Sequence, residues 1–306
     1  MKTTAILLMA YGTPRRVEDI EAYYTHIRRG NPPTKELLDE LVGRYQAIGG
    51  LSPLNAITQQ QSNELLEALR KQDPKRNFRI YEGMKHTSPF IADAVADIAN
   101  DHVDEVIGVV LAPHYSTMSI GVYQKEAEEA IQHHQIPNFH MVTSWHLQPA
   151  FLASLHQRIL LTREKLQEAG CQKVKTLFSA HSLPTRILEV NDPYPTQLQE
   201  TSQALAAMAG IADWDFAWQS AGRTREPWLG PDILLKIEEI AQEGYDGILS
   251  CPVGFVADHL EVLYDIDLEA KGKAQSLGMT LMRTPSLNAD EGMIEAIVNA
   301  IQVLLG

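Results

Sequence analysis

Lys173-Val174-Lys175-Thr176-Leu177-Phe178-Ser179-Ala180-His181-Ser182-Leu183-Pro184 is the stretch from which the fold is read. Its first half is a short β-rich apolar run and reads as a buried strand. Pro184 stops the extended run and can open the next turn or helix. A histidine flanked by small hydroxyl residues at a strand end sits where open α/β sheets bind ligands. His181 titrates near neutrality, so it suits a general base or a metal ligand. Taken alone, a structural histidine hydrogen-bonded under a loop is the stronger reading of it.

Working outward, runs of the same kind recur at 5–10, 77–83, 105–111, 139–143, 174–179, 216–219, 247–251 and 280–283, alternating with helical patterns. The helical patterns cover 17–29, 35–47, 58–71, 90–99, 121–133, 149–169, 197–209, 231–243 and 289–305, and a further helix is expected from about Asp258. Such alternation predicts parallel sheets covered on both faces. The strands are too many for one mononucleotide-binding unit. The expected architecture is α/β, with two Rossmann-like domains, each a four-stranded parallel sheet flanked by helices. The boundary is expected at 148/149, giving domains 1–148 and 149–306, with the last helix packing back on the first. A faint echo between Leu8-Met9-Ala10-Tyr11-Gly12-Thr13-Pro14 and Phe178-Ser179-Ala180-His181-Ser182-Leu183-Pro184 fits duplication. It would place Tyr11 and His181 at corresponding strand ends facing one cleft.

Composition narrows the function. A net charge of −13 argues against nucleic acid and anionic membrane surfaces. No apolar run approaches the roughly 20 residues of a membrane span, and the start reads as a strand, not a signal peptide. A cytoplasmic protein is expected. The two cysteines, Cys171 and Cys251, make no metal-spacing motif and cannot supply the four ligands of an iron–sulfur cluster. Neither a G-x-G-x-x-G after the first strand nor a G-x-x-x-x-G-K-[ST] is present, which argues against those nucleotide devices. Ser179 and Ser182 lack a G-x-S-x-G elbow, so a serine hydrolase is disfavoured.

Three constellations carry the chemistry. His181 is the first. The second is the helix after Cys251-Pro252-Val253-Gly254. Asp258 is expected as its N-cap and Glu261 falls at the capping-box position. Glu261, Asp265 and Glu269 recur every four residues and form one acidic stripe, suited to hydrated divalent cations or to a merely solvated face. His181 with Glu261 would make an imidazole–carboxylate pair, able to hold Fe²⁺ or Zn²⁺ transiently or to act as a base with its proton acceptor. The third is an N-terminal concentration of Arg28, Arg29, Arg44, Tyr45 and Ser52. It offers forked and hydroxyl partners for carboxylates, and rings for a flat ligand. His86, His114 and His259 are read as structural or as supports standing behind the site's own side chains, with a cleft-lining role weighed for His114.

These stretches together resemble the ferrochelatase family, closest to the soluble coproporphyrin ferrochelatases of Gram-positive bacteria. The resemblance runs along essentially the whole chain. It rests on Ala10-Tyr11-Gly12-Thr13-Pro14, Tyr24-Thr25-His26-Ile27-Arg28-Arg29-Gly30, Ala47-Ile48-Gly49-Gly50-Leu51-Ser52-Pro53-Leu54, Leu111-Ala112-Pro113-His114-Tyr115-Ser116 and Ser179-Ala180-His181-Ser182-Leu183-Pro184. Asp192-Pro193-Tyr194-Pro195, Trp218-Gln219-Ser220, Pro227-Trp228-Leu229-Gly230-Pro231 and Pro252 through Glu261 add to it. One departure is Asn191, where the family pattern has glycine; Asn tolerates positive φ, so the turn is expected to survive.

The resemblance implies insertion of Fe²⁺ into a tetrapyrrole held in a cleft. It implies His181 and Glu261 as the catalytic, metal-binding pair and Tyr11 beside the porphyrin centre. Arg28, Arg44, Tyr45, Ser52 and Tyr123 would hold the porphyrin and its propionates, and Asp265 and Glu269 a secondary metal or proton route. Fe²⁺ would be a substrate, with no permanent cofactor. The segment Tyr23-Tyr24-Thr25-His26-Ile27-Arg28-Arg29 is polar and basic where membrane-associated relatives carry a hydrophobic lip. Coproporphyrin III is therefore the expected substrate, ahead of protoporphyrin IX, a Co²⁺ or Ni²⁺ chelatase or a non-catalytic carrier. A monomer that passes its product to a coproheme decarboxylase completes the expectation.

Overall fold

In the computed structural model, which describes residues 2–305, strand and helix alternate from end to end. β1 (Thr3–Ala10) is followed by α1 (Ile20–Ile27), α2 (Lys35–Ala47), α3 (Leu54–Gln72), β2 (Asn77–Met84), α4 (Ile91–Asn100), β3 (Glu105–Val110), α5 (Ile120–His133) and β4 (Phe139–Val142). The chain continues through α6 (Pro149–Glu168), β5 (Val174–His181), α7 (Tyr194–Met208), β6 (Trp214–Gln219), α8 (Ile233–Gln242) and β7 (Gly247–Cys251). Last come α9 (260–276), β8 (Thr280–Arg283) and α10 (Glu291–Leu305). α3 starts at Leu54, earlier than its apolar spacing predicts, because the turn at Pro53 fixes the first helical residues.

The strands form two four-stranded parallel sheets, ordered β2-β1-β3-β4 and β6-β5-β7-β8. The two orders are the same, so β5 is the counterpart of β1. The echo in the sequence has this topological basis: Tyr11 leaves β1 where His181 ends β5. Period-two alternation buries both faces of each strand. In β1, Leu7 and Met9 pack with Ile91, Val95 and Ile98 of α4, while Ile6 and Leu8 join a second core. In β5, Leu177 packs under Ile233 and Ile237 of α8, while Phe178 and Ala180 turn to that same second core. This core takes Leu65 and Leu69 of α3, Phe151 and Ile159 of α6, and Ile297 and Ile301 of α10, so both sheets share it. α10 packs on α3, α6 and β4.

Buried charge sits at the opposite edge of the sheets from the strand C-termini. Glu105 accepts from Lys2 Nζ at 2.6 Å, Thr4 Oγ1 at 2.6 Å and Arg76 Nη1. Lys175, at the start of β5, pairs with Asp213 at 2.5 Å and Asp215 at 3.6 Å. These pairs hold the base of the sheets and leave the C-terminal edges for ligand.

Asn191 adopts the left-handed conformation (φ 51°, ψ 43°), which a short polar side chain tolerates better than most. The turn delivers Asp192, whose Oδ2 accepts from Thr117 N at 2.7 Å, Thr117 Oγ1 at 2.6 Å and Ser116 Oγ at 3.1 Å. The Asp-Pro-Tyr run thereby staples the second half to the loop after β3.

Candidate active site

The C-terminal ends of β1, β3, β5 and β6 open into one cavity of about 1590 Å³. That exceeds the roughly 300–1,000 Å³ of an ordinary small-molecule site and suits a large, flat ligand. All the residues singled out above, His181, Glu261, Tyr11, Arg28, Arg44, Tyr45, Ser52, Tyr123, Asp265 and Glu269, line it.

At one wall His181 ends β5 with Nε2 3.6 Å from Oε1 of Glu261. Its Nδ1 bonds the carbonyl oxygen of Ser182. A carbonyl only accepts, so Nδ1 carries the hydrogen and Nε2 faces Glu261. His259 repeats the arrangement: Nδ1 donates to Ala257 O at 2.9 Å, and Nε2 lies 3.6 Å from Oε2 of the same carboxylate. With both imidazoles neutral, two nitrogen lone pairs would point at a carboxylate, a repulsive arrangement that needs a proton or a cation between them. A proton is the resting solution at His181. Burial acts to lower its pKa, but the Glu261 carboxylate and the Ser182 carbonyl outweigh burial and raise it to about 9. For Glu261 burial acts upward, and His181 and His259 together hold it well below the usual carboxylate range. The resting site is an imidazolium–carboxylate pair.

One expectation for this segment is corrected. Asp258 is not a helix cap. Its carboxylate accepts from Ser286 Oγ at 2.7 Å and Asn288 Nδ2 at 3.1 Å and pairs with Arg283 at 3.2 Å. Glu261 is accordingly free of a capping box and turns to the histidines. His259, read as structural or as a support behind the site's side chains, is the second imidazole on Glu261, 3.6 Å from Oε2. The helix that carries the acidic stripe is π-helical from Val262 to Ala270, a wide geometry frequent at functional sites. Gly254 lets the preceding loop press on β5: a Cβ there would stand 2.6 Å from Cβ of Ala180, next to His181.

The stripe is not uniformly free for metal. Asp265 is buried, accepts from Ser220 Oγ, and pairs with Arg44 Nη1 at 3.4 Å. Burial raises its pKa to about 6; the Ser220 bond opposes the rise, while neighbouring Glu261 adds to it. Glu269 is exposed at the end of the stripe. Arg44, expected to face propionates, is committed across the halves: it also contacts Glu40 at 3.4 Å and stacks over the ring of Tyr264 at 4.8 Å.

The opposite wall carries protonated phenols together with the cations Arg28, Arg29 and Lys85. Tyr11, 41% exposed to the cleft, lies 4.5 Å from the ring of His86 and 6.5 Å from that of Tyr23. Burial, with Glu261 adding, pushes its phenol well up, so it stays protonated. Tyr45 bonds Thr13 Oγ1 at 3.2 Å, and Ser52 Oγ caps Leu54 N at 3.3 Å. Burial pushes Tyr123 well above its ordinary value; Lys85 lies over its ring at 5.0 Å. Burial, with Lys85 and His26 adding, brings His86 down to about 3, leaving a neutral imidazole whose Nδ1 meets Nδ1 of His26 at 2.9 Å. Arg28 donates through Nε to Asn31 O at 3.2 Å, and among the described residues neither it nor Arg29 makes an ion pair. His114 is buried, with Nε2 2.9 Å from Thr201 Oγ1, and still reaches the cleft lining. Among the described residues no group of three or more His, Cys, Asp or Glu is arranged to hold a metal ion permanently.

Known proteins match this chain from end to end. The profile of the ferrochelatase family matches residues 3–304. The coproporphyrin III ferrochelatase of Anoxybacillus flavithermus is 44% identical over 301 residues, 98% of this chain and 96% of that protein. That of Bacillus subtilis is 43% identical over 306 residues, 100% and 99% respectively. In structure, SirB from Bacillus subtilis with Fe³⁺ superimposes with a TM-score of 0.59 at 11% identity, covering 99% of this chain and 96% of SirB. That likeness speaks to the fold alone.

Proposed function

The chain belongs to the ferrochelatase family, and from that premise we propose how its cleft works: it inserts Fe²⁺ into coproporphyrin III to give coproheme, a step of heme biosynthesis. The enzyme is a metal chelatase. The end-to-end match to relatives of that name supports the substrate. The observation that carries the chemistry is the His181–Glu261 pair at 3.6 Å, open to the cleft.

The reaction exchanges two pyrrole N–H protons for one Fe²⁺, so protons must leave as metal arrives. An imidazolium has no lone pair for a pyrrole proton, so His181 must give up its own proton before it acts as a base. We read the sequence as an exchange at one pair. Fe²⁺ first displaces the Nε2 proton of His181 and sits between imidazole and Glu261. It then passes into the ring; of the two pyrrole protons the vacated Nε2 receives one and the Asp265 carboxylate takes the other, after the proton displaced from His181 has gone on to solvent. Asp265, with a pKa of about 6, and exposed Glu269 lead from the pair towards solvent and take protons onward. Tyr11 and the neutral His86 flank the ring from the other wall. A rigid cleft that favours a buckled macrocycle exposes the nitrogen lone pairs and lowers the barrier selectively. Arg28, Tyr45, Ser52 and Tyr123 hold the macrocycle and its propionates; Arg44 joins them by exchanging Asp265 for a substrate carboxylate.

The same reading makes Fe²⁺ a substrate and assigns no permanent cofactor and no iron–sulfur cluster. Cys171 and Cys251 are buried and unpaired, and burial pushes the Cys251 thiol up to about 12. It treats 1–148 and 149–306 as the two domains. It places a monomer in the cytoplasm, handing product to a coproheme decarboxylase. Among the described residues no helix is long and apolar enough to cross a membrane.

Turnover on coproporphyrin III against protoporphyrin IX, with His181→Ala beside the wild type, tests this. Faster metallation of coproporphyrin III is expected. His181→Ala should lose at least about a hundredfold in insertion rate while porphyrin affinity, read by fluorescence quenching, stays within a few-fold. Faster protoporphyrin turnover would overturn the substrate assignment. A His181→Ala variant that inserts normally would overturn the role of the pair.

A further inference from the structure

Arg223 stands in the loop between β6 and α8 and lines the cleft. Its guanidinium forks onto Glu40 of α2, with Nη1 2.6 Å from Oε2 and Nη2 bonded to Oε1. The pair bridges residues 183 apart in sequence, from the second half to the first. It is also exposed: the Arg223 and Glu40 side chains keep 65% and 39% of their surface open. Exposed pairs of this kind add little to stability. An exchangeable arginine at the mouth of a cleft therefore calls for a role other than holding the fold.

The connections around it define that role. Glu40 is shared with Arg44 at 3.4 Å. Arg44 reaches Asp265 at 3.4 Å, and Asp265 accepts from Ser220 at the start of the Arg223 loop. A chain of charge thus runs from Arg223 through Glu40 and Arg44 to Asp265, and the Ser220 hydroxyl ties its far end back to the same loop. Two of its members, Arg44 and Arg223, are cations held by protein carboxylates at a place where a substrate carboxylate can take over. The unpaired Arg28 and Arg29 lie on the wall of the first half alone.

We infer that Arg223 is a specificity-determining residue: it binds a carboxylate of the tetrapyrrole from the second half, Glu40 occupying its fork until substrate arrives. The inference rests on coproporphyrin III as the substrate. That macrocycle carries one propionate on each pyrrole ring, so its carboxylates project towards every side of the cleft. Protoporphyrin IX carries two, on neighbouring rings, and Arg28 and Arg29 on one wall can serve both. A second-half cation is needed only by the tetracarboxylate. A planar guanidinium fork matches a carboxylate in two parallel hydrogen bonds, and a ligand propionate is the chemical equal of the Glu40 carboxylate it displaces.

Steady-state insertion of Fe²⁺ by the full chain, with both porphyrins, tests this in Arg223→Ala and Glu40→Gln. Arg223→Ala should raise the ratio of KM for coproporphyrin III to KM for protoporphyrin IX by about tenfold, with kcat changing less than KM. Arg223→Lys should recover part of the loss. Glu40→Gln removes the competitor and should lower KM for coproporphyrin III by about three- to fivefold. A purely structural clasp predicts otherwise: both variants would weaken both porphyrins together. Equal changes for the two substrates, or Glu40→Gln acting in the same direction as Arg223→Ala, would overturn the inference while the substrate assignment stands. A wild type that leaves coproporphyrin III unmetallated would overturn the assignment and the inference with it.

Discussion

Glu261→Gln isolates the electrostatics of the site, because the carboxamide keeps the shape and removes the charge. Burial drives the His181 pKa down, while Glu261 above all, with the Ser182 carbonyl and Asp265 adding, drives it up, for a net rise from 6.5 to about 9. Without the carboxylate, burial is opposed only by the Ser182 carbonyl and Asp265, and the midpoint should fall back towards or below 6.5. The rise corresponds to about 3 kcal/mol of preference for imidazolium in the folded state. Since the His181 and Glu261 side chains are 31% and 34% open to the cleft, screening trims this to about 1–2 kcal/mol of stability. The sign follows from linkage. A folded pKa above the unfolded one stabilises fully below about pH 6.5 and is lost as pH rises through about 9. Wild-type stability to urea should therefore fall by about 1–2 kcal/mol between pH 6 and pH 9.5 through this pair, and Glu261→Gln should remove that component of the fall. The direct assay is the titration of ¹⁵N-labelled His181 by NMR in the unliganded protein. In parallel, divalent-metal affinity in the wild type should rise with pH towards 9, since metal competes with the Nε2 proton. A wild-type midpoint at or below 6.5, or one that Glu261→Gln leaves in place, would sink both the pairing argument and the exchange mechanism.

Other perturbations separate the site from its frame. Gly254→Ala puts a Cβ 2.6 Å from Ala180 Cβ; it should cost about 1–3 kcal/mol by denaturant titration and, by shifting the end of β5, reduce insertion more than porphyrin binding. Asn191→Gly relieves a left-handed backbone at φ 51°; thermal unfolding should show a change within about 1 kcal/mol, far smaller than a core truncation. Arg76→Met strips one partner from Glu105, whose side chain is only 8% exposed. It should lower urea stability by about 3 kcal/mol and leave KM and kcat unchanged, since the pair lies at the far edge of the sheet.

Much of the fold was legible because local rules decide it. Strands buried on both faces need continuous apolar runs, and helices between them need the 3.6 period, so the eight strands and their alternation follow from the sequence. The equivalence of Tyr11 and His181 was also readable, as a repeated strand-end pattern, and the shared strand order gives its cause. Likewise the sequence placed His181 and Glu261 beyond strand ends of one half, because strand ends in parallel sheets point the same way.

What the chain alone left open were choices made by contacts distant in sequence. Asp258 carries a good cap signature, yet Arg283, Ser286 and Asn288 claim it, and that releases Glu261. Spacing drew Asp265 into an acidic ridge, and the family resemblance implied Arg44 as a propionate ligand; three-dimensional packing joins them, because opposite charges brought together in a partly buried place pair unless a ligand intervenes. The protonation of His181 is of the same kind. Its residue type permits base, ligand or imidazolium, and only the carboxylate folded against Nε2 selects the last. Residue types and spacing determined which groups are available. Tertiary structure decided what each group carries and whom it meets, since pKa and pairing depend on distance and dielectric, and neither is written along the chain.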